Sequence, residues 1–185
     1  MIRRILPVAL LGLLLALWLY GDQLWPAETV SGNNITIRDG DTLIVSEKIF
    51  RLSGIDAPEY HQTCGDTSGK EWPCGKVARE KLVAIAAKQV ITCVVRATDK
   101  YHRSIATCGS TTVPDLSAAM VSAGLAISPA ERGVAAYNDE QAHARTSKIG
   151  IWQGTFIDPV AWRAAHPRAQ TDSGSALLKA KAGND

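Results

Sequence analysis

Charge of one sign is nearly absent as an excess: 20 Lys and Arg against 18 Asp and Glu leave a formal net charge of +2 over 185 residues. That excludes recruitment of nucleic acid by bulk charge, so any phosphate affinity must come from a local patch or a bound metal. Histidine is scarce, and His61, His102, His143 and His166 show no metal-ligand spacing, which leaves them surface or capping roles. The four cysteines contain no Cys-x-x-Cys pair, so a zinc site has little support. No internal repeat is present, and the length suits one core domain with flanking segments.

Long apolar runs are confined to one place. Arg3 and Arg4 precede an apolar run from Ile5 to Tyr20, the layout of a secretory signal or signal anchor. At about 1.5 Å per residue the run spans roughly 24 Å, slightly less than a hydrocarbon core of about 30 Å. Trp18, Tyr20 and Trp25 can extend it at the interface. No small-x-small cleavage site follows, which favours an uncleaved membrane anchor over residues 1–25. Either form exports the rest of the chain to the cell envelope. An anchored protein would face the periplasm from the inner membrane; a cleaved one would be periplasmic or secreted. Residues 30–166 then form the folded domain with a C-terminal extension, and the polar residues 167–185 a disordered tail.

Export gives the cysteines an oxidising compartment. Val90 to Ala97 and Arg103 to Cys108 read as strands around a turn, and a turn centred on Lys100 and Tyr101 sets Cys93 opposite Cys108. Opposed Cβ atoms lie about 4.5–5.5 Å apart and disulfides need about 3.5–4.5 Å, so a non-hydrogen-bonded pair can close. Cys64 and Cys74 remain to staple the loop after Glu59.

Three strands are expected before that loop: around Ile35 and Ile37, from Leu43 to Val45 after a turn at Asp39-Gly40, and from Lys48 to Leu52. Gly21 to Val30 reads as a linker, and Tyr60 to Gly75, without apolar period, as a loop. From Lys76, the spacing of Ala78, Leu82, Ile85 and Ala86 predicts a helix. Pro114 and Asp115 start a second, with Leu116, Ala119, Met120 and Ala123 buried and Gly124 closing it. A short strand from Leu125 to Ile127, a loop from Ser128 to Gly133 and a helix from Tyr137 to Lys148 complete the reading. Trp162, in the extension, is expected to pack back on the domain. The class is α+β: a small β-barrel with about three packed helices, preceded by the N-terminal hydrophobic helix.

The residues with chemistry cluster in Asp39-Gly-Asp-Thr42 and Arg51-Leu-Ser-Gly-Ile-Asp-Ala-Pro-Glu59, with a later contribution from Asp99-Lys-Tyr-His-Arg103. Alone, each has a bland explanation. Asp-Gly is common in turns, Asp before Ala-Pro starts turns, and a lone arginine usually snorkels to solvent. Together, two carboxylates without nearby His or Cys suit Ca²⁺ or Mg²⁺, guanidinium forks hold phosphate oxygens, and a spare carboxylate can take a proton from water.

These pieces, with Gly124-Leu-Ala126 and Gly150-Ile-Trp152, resemble the staphylococcal-nuclease-like (thermonuclease) family in order and spacing, from about Val30 to Trp152. The resemblance implies an OB-type five-stranded barrel. It implies calcium held by Asp41, Asp56 and the Ala57 backbone carbonyl, where many relatives carry Thr. By the same resemblance Glu59 activates water, Arg51 and Arg103 bind the phosphate, and Lys100 and Tyr101 contact substrate. The resemblance implies a calcium-dependent endonuclease for DNA and/or RNA that leaves 3′-phosphates; a monomer is expected, and single strands should be favoured because an isolated strand reaches a concave site more easily than a stacked duplex. One departure stands out. After Gly-Leu-Ala, where relatives often carry pocket aromatics, this chain reads Ile127-Ser-Pro-Ala-Glu-Arg132, with Trp72 and Tyr137 as candidate substitutes. The alternative is a non-catalytic OB-fold module of the cell envelope that binds nucleic acid or protein.

Overall fold

A computed structural model of the chain describes Leu15 and residues 27–131 and 134–167. The anchor expected over 1–25, Leu15 apart, and the tail expected over 167–185, Pro167 apart, lie outside the described residues. Among the described residues no helix is long and apolar enough to cross a membrane.

The fold is mixed α+β. The main sheet is built from β1 (Thr29–Gly32), β2 (Ile35–Ile37), β3 (Thr42–Val45), β4 (Lys48–Leu52), β7 (Ile91–Thr98) and β8 (Ser104–Gly109), in the order β1-β7-β8-β4-β3-β2. β4 shows the reason for this arrangement: Phe50 and Leu52 are buried while Ile49 and Arg51 face the other way, the period of two that a half-buried strand demands. All pairs are antiparallel except β4 with β8, where Arg51 lies opposite Ile105. One core forms where Leu43, Phe50, Leu52, Ile91 and Ala106 meet the helices α1 (Cys74–Ala86) and α2 (Leu116–Ser122). Ala78 and Leu82 of α1 and Met120 of α2 supply the facing side chains.

The expected five-stranded barrel is corrected. Among the described residues six strand segments form the sheet, and no ladder joins its edges β1 and β2. Those edges are successive pieces of chain separated only by Asn33 and Asn34, so the sheet rolls because one bent segment serves both ends. The linker expected through Val30 is therefore partly strand: Val30 pairs with Cys93.

Other boundaries shift for local reasons. The loop from Tyr60 to Gly75 contains a small hairpin of β5 (Cys64–Gly65) and β6 (Glu71–Trp72), and α1 begins at Cys74 rather than Lys76. Only Ile127 of the expected strand at 125–127 pairs, in a single bridge to Asp56. The expected loop at 128–133 carries β9 (Ala130–Glu131), which pairs with β10 (Val134–Ala135). There are four α-helices among the described residues rather than three: α3 (Asn138–Thr146) and α4 (Pro159–Ala165) follow, with a 3₁₀ turn at Gly150–Gln153 between them.

Both disulfides form as expected, Cys64–Cys74 and Cys93–Cys108. The route to the second differs from the expectation. The hairpin loop is Asp99 to Arg103, centred on Tyr101, and the register shifts between Val95 and Ala97. The bulge at Arg96 offsets the longer loop by one residue, which restores Cys93 to its place opposite Cys108.

Candidate active site

Asp41 leaves a turn in which its backbone N–H donates to the Asp39 carboxylate at 3.1 Å, and it enters β3 directly. Gly40 permits that turn: a Cβ there would lie 2.7 Å from the Ala57 Cβ and 2.9 Å from that of Ala78. Asp56 is pinned by its bridge, exchanging two 2.9 Å backbone hydrogen bonds with Ile127. Both aspartates are buried, each 3% exposed.

Arg51 forks between them. Nη1 donates to Asp41 Oδ1 at 2.8 Å and Nη2 to Asp56 Oδ1 at 2.6 Å. Asp41 also accepts from the Thr42 hydroxyl at 2.9 Å and from the Ala57 N–H at 3.2 Å. Burial alone would favour loss of the Arg51 proton, but the charges of Asp41 and Asp56 outweigh it and raise the guanidinium above its ordinary value. Asp41 moves the other way from an ordinary carboxylate. Burial, then the neighbouring Asp39 and Asp56 charges, push it up to about 7 despite Arg51.

Glu59 sits on the loop that Gly75 holds close to α1: a Cβ at Gly75 would collide with the Glu59 carbonyl oxygen. The buried Gln62 side chain accepts from the Glu59 N–H at 3.2 Å. The Glu59 carboxylate is met by Arg163, a residue for which the sequence gives no role. Arg163 Nη1 donates to Glu59 Oε1 and Asp56 Oδ1, both at 2.9 Å, and Nη2 donates to Asp56 Oδ2 at 2.8 Å. Hydrogen bonding to Asp56 raises the Arg163 guanidinium above its ordinary value, against the effect of its partial burial. The only sequence cue near it is Asp158-Pro159, a helix start that leaves the direction of Arg163 open.

Asp41, Arg51, Asp56 and Glu59 are thus brought together, with Ala57 donating its N–H into the group. Among the described residues Arg103 is not joined to it by a hydrogen bond or ion pair. It precedes β8 and, two residues before Ile105, falls on the same face as Arg51. Its Nε donates to Asp99 Oδ2 at 2.7 Å and its backbone N–H to Asp99 Oδ1 at 2.9 Å. Lys100 and Tyr101 are exposed on the same turn, with the Lys100 Nζ 5.1 Å and the Arg103 guanidinium 5.5 Å from the Tyr101 ring centre.

A cleft of about 540 Å³ opens beside the cluster, lined by Arg51, Asp56, Arg96, Ile105 and Pro129 among others, with no aromatic side chain among the described residues of its wall. Neither candidate substitute lines it. Tyr137 donates its hydroxyl to Asp115 at 3.0 Å, and Trp72 packs between the main core and a small apolar cluster of Cys64, Cys74, Ile127 and Ile151.

A rolled sheet with helices packed beneath, carrying carboxylates and an arginine at a cleft, defines the class: the chain belongs to the staphylococcal nuclease homologues, whose family model matches residues 49–154. It is also 29% identical over 144 residues, 77% of this chain and 75% of the relative, to the succinoglycan biosynthesis protein ExoI of Rhizobium meliloti (strain 1021).

Among the described residues no three His, Cys, Asp or Glu side chains converge as a ligand group. The two buried aspartates do offer hard oxygen donors, the ligand type that calcium takes together with carbonyls and waters.

Proposed function

We propose that this protein is a calcium-dependent nuclease that hydrolyses phosphodiester bonds of DNA or RNA. The observation that carries the reading is Arg51, forked between two buried aspartates at a cleft with Glu59 alongside. Asp41, Asp56 and the Ala57 carbonyl would hold calcium, which when bound neutralises phosphate charge and polarises the phosphorus–oxygen bonds.

The chain's own groups do the rest. Arg51 has five N–H donors and spends two on the aspartates, leaving three for phosphate oxygens. Glu59 Oε1 is taken by Arg163, while Oε2 has no protein partner among the described residues and can accept a proton from attacking water. Arg103 keeps both Nη groups available while Nε anchors it to Asp99, so a substrate on the shared face of β4 and β8 meets a second cation. That charge is placed where negative charge grows in the transition state. A single strand enters such a cleft more readily than a stacked duplex. Export and anchoring through residues 1–25 belong to the same proposal.

A second reading, a binding module of the cell envelope, draws on the lack of aromatic side chains among the described residues of the cleft wall, since a catalytic pocket for a nucleotide would gain from stacking. The assay that separates them uses the full chain in detergent micelles with single-stranded DNA and RNA, in calcium or chelator, beside Glu59→Gln. Calcium-dependent degradation that disappears in the variant supports the nuclease. Intact substrate throughout, with a gel shift, supports the module.

A further inference from the structure

The family match ends at residue 154, and the chain beyond it turns back onto the site. Thr155 and Gly65 exchange backbone hydrogen bonds at 2.8 and 3.2 Å, tying the start of this arm to the loop stapled by Cys64–Cys74. Gln62, 1% exposed, donates to the Ile157 carbonyl at 2.7 Å, and its side-chain oxygen accepts from the Glu59 N–H. One buried amide thus joins the arm to the proposed base. Asp158 then caps α4 through the Val160 N–H at 2.8 Å, Pro159 and Trp162 are buried, and Trp162 stacks on His166 with ring centres 4.3 Å apart. This anchored turn delivers Arg163 to a carboxylate 107 residues away.

We infer that the arm from Thr155 to His166 is a built-in cap on the carboxylate site, in which Arg163 serves as an internal counter-cation that a divalent metal must displace. Its bonds are the ground for this. Arg163 engages both oxygens of Asp56 and one of Glu59, while Arg51 shares Asp56 Oδ1, so three charge-assisted bonds end on one carboxylate. A cation entering at Asp56 meets a guanidinium already paired there, and like charges at that separation in a part-buried site repel strongly. Arg163 keeps a quarter of its side chain exposed, which gives it a route outward. With Arg163 in place the acidic corner is partly neutralised; with a metal in place the arginine is released toward an anionic substrate. The inference rests on the reading of Asp41 and Asp56 as metal ligands.

The test is calcium binding by titration calorimetry on the full chain in detergent, comparing the parent with Arg163→Ala and Asp158→Ala. The second variant removes the α4 cap and touches no carboxylate. Both should bind calcium at least tenfold more tightly than the parent. Hydrogen exchange in the parent should show residues 158–166 less protected in calcium than in chelator. Equal or weaker binding in the folded variants, or unchanged protection of the arm, overturns the cap while leaving the nuclease reading in place. Absence of calcium binding to every form overturns both.

Discussion

Two regions supply the arginines of this site, and they are built in opposite ways. Arg51 lies on a central strand, 18% exposed at its side chain, locked between two aspartates that come from different turns. Arg103 lies at the end of a five-residue hairpin loop, 34% exposed, and its ion-pair partner Asp99 belongs to the same loop. The first is held by the fold, the second by its own turn. A buried ion cluster couples function to stability, because removing one member strands the others; an exposed turn leaves chemistry free to change without consequence for folding.

The sharpest break in that comparison is Arg51→Met. It leaves Asp41 and Asp56 buried with one guanidinium fewer, and the chain should lose about 3–5 kcal/mol of stability in urea titrations along with the proposed nuclease activity. A loss under about 1 kcal/mol would mean the cluster behaves as a surface pair.

The two regions should also titrate oppositely. The unfolded chain releases the Asp41 proton near the ordinary 3.8, the folded chain only near 7. Its contribution is complete below the ordinary value and disappears as pH rises through about 7, so metal-free protein should melt progressively lower across that window. Asp99 is the reverse case. Its slight burial is outweighed by hydrogen bonds from the Arg103 backbone and guanidinium and the Tyr101 N–H, which hold its carboxyl below the usual range. Its stabilisation is present above the ordinary value and is lost only in stronger acid, outside the Asp41 window. A melting temperature flat between about pH 4 and pH 8 in chelator would contradict the Asp41 assignment.

Between these extremes stands the loop that carries Glu59. Replacing Cys64 and Cys74 together by Ser opens a closure of 10 residues and should cost about 2–4 kcal/mol. The same change should lower activity, since that loop is tied to Gln62 and the arm. An unchanged melting temperature with full activity would show that Gly75 and Gln62 suffice to fix Glu59.

The comparison also explains what could be read from the chain. β3, β4, α1 and α2 follow local apolar periods, and the cap Asp115 and the left-handed Gly124 mark α2 in the chain itself. Asp41, Arg51 and Asp56 lie within one short stretch, so local pairing of β3 with β4 accounts for their meeting. Arg163 was illegible because its partners lie 104 and 107 residues away, and no periodicity encodes such a distance. β1 was missed because its alternation is weak and half-exposed, and its partner β7 is remote. The Cys93–Cys108 pairing was legible although the turn was misplaced, because the bulge at Arg96 offset the longer loop.

The smallest effect on folding is expected at the hairpin, where function should separate from stability. Arg103→Ala removes a local, partly exposed ion pair and leaves the Asp99 carboxylate its backbone donors from Arg103 and Tyr101, so stability should change by less than about 1 kcal/mol. If that guanidinium stabilises the transition state, kcat should fall on the order of 10²-fold with KM moving little. Tyr101→Ala calibrates the same turn. Tyr101 is 67% exposed and rests against Lys100 and Arg103, so its removal should leave the melting temperature in place. Loss of a stacked base would weaken substrate binding by about 1–3 kcal/mol and raise KM. A KM effect at Tyr101 beside a kcat effect at Arg103 would assign binding and chemistry to adjacent positions of one loop. Should Arg103→Ala instead destabilise the fold as much as Arg51→Met, the turn would be part of the buried cluster, and the contrast between the two arginines would collapse.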